Sequence, residues 1–223
     1  MKTKKAVIFG TALFAEVAKV YLEADSPYVV EAFTVHERYL GGRTHLLDVP
    51  VVPFEALETS HPTSDYEIFV ALGFSKVNKA RAAVVAECRS RGYRLLTYVS
   101  SQAHHLGTYT IGENCFVFEG NVIQPFVSIG DNTILWSGNH IGHHSKIGNN
   151  CFIASHVVIS GSCEIGDNSF IGVNATLRDG VRVAPESVIG AGALILKDTV
   201  PRGVYKAKGT EPQAYTSDEL RNF

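Results

Sequence analysis

From Ile111 to Ile195 an aliphatic residue returns at every sixth position, through Val117, Ile123, Ile129, Leu135, Ile141, Ile147, Ile153, Ile159, Ile165, Ile171, Leu177, Val183 and Ile189. Four residues after nearly every one comes a small side chain, among them Cys115, Thr133, Ser145, Cys151, Cys163, Ala175 and Ala193, with Asn121 and Asn139 as the departures. A six-residue period is the mark of a parallel β-helix. Each hexad supplies one short strand and one tight corner, so three of them close a triangular coil. The coils stack at the ordinary strand spacing of ~4.7–4.9 Å. The aliphatic residue points inward onto its equivalent one coil away, and the small residue fits the corner. Such a unit cannot bury its apolar face alone and needs stacked neighbours. Val99 and His105 continue the spacing upstream. An imidazole is a poor core residue, so the coil is expected from residue 106 onward, giving two domains, 1–105 and 106–223.

The first hundred residues have another rhythm. Ala6–Phe9 reads as a buried strand ending at Gly10, Leu13–Ala24 as a helix, and Val29–Val35 as a second strand. A short extended piece at 48–53 precedes a strand at 67–72, a helix over 76–91 with Val77, Ala80, Val84 and Cys88 on one face, and a last strand at 94–99. Strands alternating with helices imply a small Rossmann-like parallel sheet with helices on its faces. The C-terminal residues 216–223 are expected to form a short helix.

Ligands of such sheets bind at the carboxyl ends of the strands. The first strand runs into Gly10-Thr11-Ala12-Leu13-Phe14-Ala15, an approximation to a dinucleotide fingerprint with Ala12 in place of the second glycine. The helix behind it offers its N-terminus to an anion. The same stretch can equally be a structural strand-to-helix turn. The second strand ends at His36-Glu37. Glu37 is a candidate for a ribose hydroxyl and His36 for base contact, and the sequence does not choose between them. Gly73, which closes the strand at 67–72, is a further candidate for substrate contact.

Composition excludes several classes. A formal net charge of −2 does not suit a nucleic-acid binder, which is usually basic. No apolar run reaches the ~20 residues of a membrane span, and no signal peptide is expected at the N-terminus. Of the four cysteines, Cys115, Cys151 and Cys163 occupy the small inward position of the hexad. They read as core residues in a reducing cytoplasm, not as a disulfide set.

Histidines gather at His140, His143, His144 and His156. His143 and His144 fall at the outward part of a hexad, where a general base can meet solvent and substrate, and histidine is the usual base near neutral pH. The i, i+4 spacing of His140 and His144 would converge on a helix but not on a β-coil, so no metal is expected.

The hexads resemble those of the left-handed β-helix hexapeptide acyltransferases. With the α/β domain in front, the whole chain is similar to the sialic-acid O-acetyltransferase-like and nucleotide-amino-sugar N-acetyltransferase branch. The resemblance implies a left-handed coil, a homotrimer with active sites between adjacent helices, acetyl-CoA as donor, and a nucleotide-linked amino sugar held under the N-terminal domain. It implies that His143, five residues before the glycine of Ile147-Gly148, is the catalytic base. Relatives carry an acidic residue where this chain has His144, which leaves the orienting group open and makes His144 or His140 conceivable substitutes. Gly161, one coil after His143, matches a glycine whose N–H can face the thioester oxygen. Phe152 stands where some relatives have a second histidine near the pantetheine. Phe152, Val173 and Ala191 are the positions implied along acetyl-CoA, with Lys197, Arg202, Lys206 and Lys208 as cations for its phosphates. The activity implied is acetyl transfer to a sugar amine. O-acylation of a sugar hydroxyl and a non-catalytic solenoid scaffold are the alternatives.

Overall fold

A computed structural model describes residues 2–212, 214 and 217–219. In the N-terminal domain β1 (Lys4–Phe9), α1 (Leu13–Asp25), β2 (Tyr28–Val35), β3 (His45–Leu46), β4 (Val49–Pro53), α2 (Leu57–Ser60), β5 (Tyr66–Val70), α3 (Lys79–Ser90) and β6 (Arg94–Leu95) follow in order. They build one sheet in the order β3-β4-β2-β1-β5-β6. All neighbours are parallel except the β3–β4 edge hairpin. Alternation along β1 sorts the two faces. Ala6 and Ile8 pack toward α1, whereas Val7 and Phe9 pack with Val84, Val85 and Cys88 of α3.

The expected strand at 94–99 is two strands in two different sheets. Arg94–Leu95 completes the N-terminal sheet, and Tyr98–Val99 pairs with Phe116–Val117 as the first rung of the β-helix. His104–His105 pairs with Val122–Ile123 in the same way. The coil thus begins ahead of residue 106. His105 is tolerated there because it lies on an exposed terminal rung and leans on the Tyr109 ring.

Three parallel sheets form the prism. The first face runs from Tyr98–Val99 to Val204–Tyr205, the second from His104–His105 to Leu194–Ile195, and the third from Thr110–Ile111 to Arg182–Val183. The inward aliphatic residues of all three make one buried column with Cys115, Cys151, Cys163 and Ala175 in the corners. Burial pushes the thiols of Cys88, Cys115 and Cys151 up to about 12.

The outward side of the first face is aromatic: Tyr98, Phe116, Phe152 and Phe170 stand at its strand positions. Helix α1 lies between this face and the N-terminal sheet, with Phe14 and Tyr21 packed edge-on against Phe116. Asp25, the last residue of α1, accepts hydrogen bonds from Tyr98 Oη (2.8 Å) and Ser101 N (2.8 Å) of the first coil.

A buried polar network completes the joint. Arg81 of α3 is fully buried. Its Nε donates to Asn132 Oδ1 (2.9 Å), and its guanidinium nitrogens donate to Gly73 O (2.9 Å), Asn78 Oδ1 (3.0 Å), Asn132 O (3.0 Å) and Cys151 O (3.0 Å). Burial brings its pKa down to about 10. Asn114, Asn132 and Asn150 form a ladder of side-chain amides up the prism, and Asn114 Oδ1 accepts the Val70 N–H at 2.8 Å. Helix α3 starts at Lys79, not at residue 76, because Lys76, Val77 and Asn78 all have positive φ (54°, 52° and 64°). Left-handed backbone is unusual for any non-glycine residue, and most of all for a β-branched one. The Asn78 side chain holds the turn in place by donating to Ser169 O (3.1 Å) and Asn168 O (3.3 Å) of the prism. The helix expected at 216–223 falls mostly outside the described residues, within which Ser217–Glu219 is a 3₁₀ turn.

Candidate active site

The sequence candidates separate into two places. The first is a cleft of about 460 Å³ at the carboxyl ends of β1 and β2, lined by Gly10, Thr11, Ala12 and His36 with Phe9, Val35, Arg38, Tyr39, Leu72, Lys76, Ala80, Ala83, Val84 and Glu87. Gly10 has φ +134°, and a Cβ there would sit 2.9 Å from Ala71 O, so the strand-to-helix turn requires glycine. Ala12 is the N-cap of α1 and gives no side-chain cap. The first N–H groups of the helix are thus not met by a capping side chain, the arrangement that receives an anion. His36 stands between two carboxylates, Nδ1 3.2 Å from Glu55 Oε1 and Nε2 3.3 Å from Glu87 Oε2.

Glu37 does not line the cleft. Its side chain is exposed, and its backbone N–H donates to Glu55 Oε2 at 2.9 Å. A 3₁₀ turn over Glu37–Tyr39 redirects the chain after β2 and brings Arg38 and Tyr39 to the cleft. The carboxylate that does line it is Glu87, from α3. Gly73 belongs elsewhere, to a small apolar pocket of about 250 Å³ with Leu13, Phe14, Val17, Phe74, Trp136 and Phe152.

The second place is the corner between the second and third faces of the prism. His143 and His144 lie there and are both exposed. His143 Nδ1 is 3.2 Å from His144 Nδ1. His144, at φ 60°, is itself backed by the Phe126 ring, with centroids 4.7 Å apart. The His143 ring edge lies against Gly161: a Cβ on Gly161 would be 2.7 Å from His143 Cε1 and 2.9 Å from Nε2. The missing side chain is what allows the imidazole to rest on the next coil.

The expectation that the Gly161 N–H faces an oxyanion is corrected by the same corner. That N–H donates to Asp179 Oδ1 at 2.7 Å, one coil further on. A corner amide projects along the stacking direction, and an Asp or Asn eighteen residues later takes it; Glu113 N with Asp131 and Asn149 N with Asp167 repeat the pattern.

Phe152 is likewise corrected as an acetyl-CoA contact. It is 6 % exposed and packed between Phe74, Phe170 and Trp136 under the N-terminal domain. An outward residue of the first face is covered by that domain. Val173 and Ala191 are exposed at the corner between the first and second faces, across the second face from His143. His140 sits between these edges, half-buried on that face. The basic residues do not form one cluster. Lys197 continues the His143 edge, whereas Arg202 pairs with Glu186 (3.2 Å) at the corner beside α3. Lys206 and Lys208 are exposed beyond it.

The family model for bacterial transferase hexapeptide repeats matches residues 108–142, 128–161 and 162–197. The prism is that of the hexapeptide-repeat left-handed β-helix transferases. Solved structures extend the likeness of this hexapeptide chain to both domains. A mutant perosamine N-acetyltransferase from Caulobacter crescentus, in complex with CoA and GDP-perosamine, is 26 % identical, with 87 % of this chain and 89 % of that one covered at a TM-score of 0.78. PerB from the same organism, with the same two ligands, is 25 % identical over 91 % of each chain, also at 0.78. WeeI from Acinetobacter baumannii shares the fold at 18 % identity, covering 91 % and 94 % of the two chains with a TM-score of 0.71. Among curated proteins no sequence matches.

Sequence reasoning missed Arg38, Tyr39, Lys76 and Glu87 in the cleft, and the Asn78–Arg81 pair behind it. The last had a signal. Arg81 lies three residues before Val84 and seven before Cys88, on the apolar stripe of α3, and a charge on a buried stripe demands partners.

Proposed function

We propose that the chain transfers the acetyl group of acetyl-CoA to the amino group of a nucleotide-linked amino-deoxysugar, with His143 as general base and no acyl-enzyme. The observation that carries this reading is the His143 imidazole, exposed at a corner, laid over a glycine and joined through Nδ1 to a second histidine. If Nδ1–H of His143 donates to His144 Nδ1, the lone pair of Nε2 is left free to accept a proton. His144 then takes the orienting role that an acidic residue has in the relatives. The amine nitrogen attacks the thioester carbon as Nε2 takes its proton. The C–S bond breaks, and the thiolate leaves with the proton that His143 returns. General-base help of this kind is worth roughly 10²–10⁴-fold. The buried cysteines, with thiols held up in pKa, are not placed to carry the acetyl group.

The N-terminal cleft is the place for the nucleotide, with its phosphates toward the α1 N-terminus. The complexes of the two Caulobacter proteins with CoA and GDP-perosamine support the pairing of substrates. In one chain the N-terminal domain covers the first face, and the His143 corner is the corner opposite that face. A sugar held under the N-terminal domain therefore meets His143 of another copy. The second face, with Val122, Val158 and Leu194 exposed, is the surface for that contact in a homotrimer. Acetyl-CoA then lies between the His143 edge of one copy, with Lys197 for a phosphate, and the Val173–Ala191 edge of the next.

The test is thiol release from acetyl-CoA with a panel of nucleotide-linked amino sugars and their hydroxyl counterparts, for wild type and His143→Ala. Release with an amino sugar, lowered 10²–10⁴-fold in kcat by the substitution, is expected. Release with hydroxyl acceptors alone moves the chain to O-acylation. Activity of His143→Ala within a few-fold of wild type overturns the assignment of the base.

A further inference from the structure

Resting on the nucleotide-sugar reading, we infer that the N-terminal cleft selects guanine as the base, and that Glu87 is the residue that reads it. The cleft is a slot whose walls are apolar and shallow: Phe9, Val35 and Leu72 on the sheet side, Ala80, Ala83 and Val84 on α3. The two alanines leave room for a flat ring against the helix. Its polar groups are divided by position. Toward the N-termini of the two helices are Lys76, in the left-handed turn before α3, and Thr11–Ala12 at the uncapped N-terminus of α1. Both suit a diphosphate. At the other end, Glu87 lies seven residues along α3 from Ala80, an axial distance of roughly 10 Å at ~1.5 Å per residue. That length of helix leaves room for a nucleoside between the two.

Glu87 presents a carboxylate that is half-exposed and already held in place. Its Oε1 accepts from Arg91 Nη2 at 3.1 Å, and its Oε2 is 3.3 Å from His36 Nε2. His36 is held in turn by Glu55 and by edge contacts with Phe9 and Phe54. Each carboxylate oxygen has about two acceptor sites, so each keeps one for a ligand. An ionised carboxylate accepts and cannot donate. Guanine alone among the common bases offers two adjacent donors, N1–H and N2–H, in the geometry that a carboxylate takes with both oxygens. Uracil and thymine offer a single N–H flanked by two carbonyl oxygens, which a carboxylate repels. Adenine and cytosine present a ring-nitrogen acceptor beside their amino group. Hydrogen bonds to a charged group are the strong ones, about 1.5–3 kcal/mol each, so a second donor separates guanine from the rest by tenfold or more.

The experiment is calorimetric titration of the full chain with GDP, IDP, UDP and dTDP, repeated on Glu87→Gln. IDP keeps the purine shape and N1–H but lacks the N2 amino group, so it isolates the second donor without altering the protein. GDP is expected to bind at least tenfold tighter than IDP and tighter still than UDP or dTDP. Glu87→Gln is expected to lower GDP affinity by tenfold or more and to leave UDP affinity unchanged within a few-fold. UDP or dTDP binding as tightly as GDP, or IDP matching GDP, overturns the guanine assignment while the cleft remains a nucleotide site. A GDP affinity unmoved in Glu87→Gln removes Glu87 as its reader. Failure of all four diphosphates to bind overturns the nucleotide reading of the cleft itself.

Discussion

The first and second faces of the prism are built from the same hexad and have opposite fates. Their inward residues are interchangeable: Val117, Leu135 and Ile153 on one, Ile123, Ile141 and Ile159 on the other, all buried in one column. Their outward residues differ. The first face carries aromatic rings, and its first coils lie under α1. The second carries Val122, His140, Val158, Thr176 and Leu194 and is uncovered in the single chain. Repetition therefore specifies the inside of a solenoid, and the outward column, one residue before each core position, specifies what lies against each side.

The largest expected effect concerns the covered face. Arg81→Met removes the donors to Asn132 Oδ1, Asn132 O and Cys151 O, all of which stay buried. Leaving a buried acceptor without its donor costs about 1–3 kcal/mol, so a loss of at least that size is expected, to be read by urea denaturation. A loss below about 1 kcal/mol would show that the joint between the domains does not depend on it.

The uncovered face is next. Val158→Glu with Leu194→Glu places two charges on it without touching the core column. Sedimentation is expected to show the proposed homotrimer for the wild type and a monomer for this variant, with the circular dichroism spectrum unchanged. A persistent trimer would place the contact between copies on another face.

At the edge of that face, Gly161→Ala tests the seat of His143. The backbone of Gly161 is not left-handed, so alanine fits the chain, but its Cβ would lie 2.7 Å from His143 Cε1. The ring must move, and a loss of roughly 10–100-fold in kcat is expected, as a misplacement of about 1 Å commonly costs, with the melting temperature held. Unaltered kcat would mean that the ring's position over the glycine is immaterial.

The smallest effect returns to the covered face. Burial alone would raise the Asp25 carboxyl, but hydrogen bonds from Ser101, Tyr98 and Ser100 outweigh it and hold it below the ordinary range. A depressed folded pKa means that its stabilisation is fully present above the unfolded value of about 3.9 and is lost as pH falls through the lower folded value. Asp25→Asn is expected to lose stability at neutral pH and to flatten this acid limb in a pH series of melting temperatures. An unchanged limb would assign the acid sensitivity to other carboxylates.

The comparison also marks what the sequence could reveal. The coil and its phase were legible because inward positions obey one rule for five turns. The exposure of His143 and His144 followed from the same phase. Phe152 was misread because it was placed by alignment with a histidine of relatives and not by its face; Phe116, Ile134, Phe152 and Phe170, eighteen residues apart, spell a largely aromatic stripe that a partner must cover. The Gly161 amide was misread because its acceptor, Asp179, is adjacent only through stacking. In the N-terminal half Gly10 to Ala12 and His36 were found from strand ends. Glu37 was replaced by Glu87 because a 3₁₀ turn and a neighbouring helix, neither with a local signature, decide which carboxylate reaches the cleft.

The left-handed turn at Lys76–Asn78 ties ligand to architecture. One end of it faces the cleft through Lys76, and the other is pinned to the prism through Asn78. A ligand that met Lys76 only in the docked arrangement would favour docking, and docking would favour that ligand by the same free energy, since the two equilibria would share a state. Occupancy of the cleft would then be felt at the prism as a change in how often its aromatic side is laid bare.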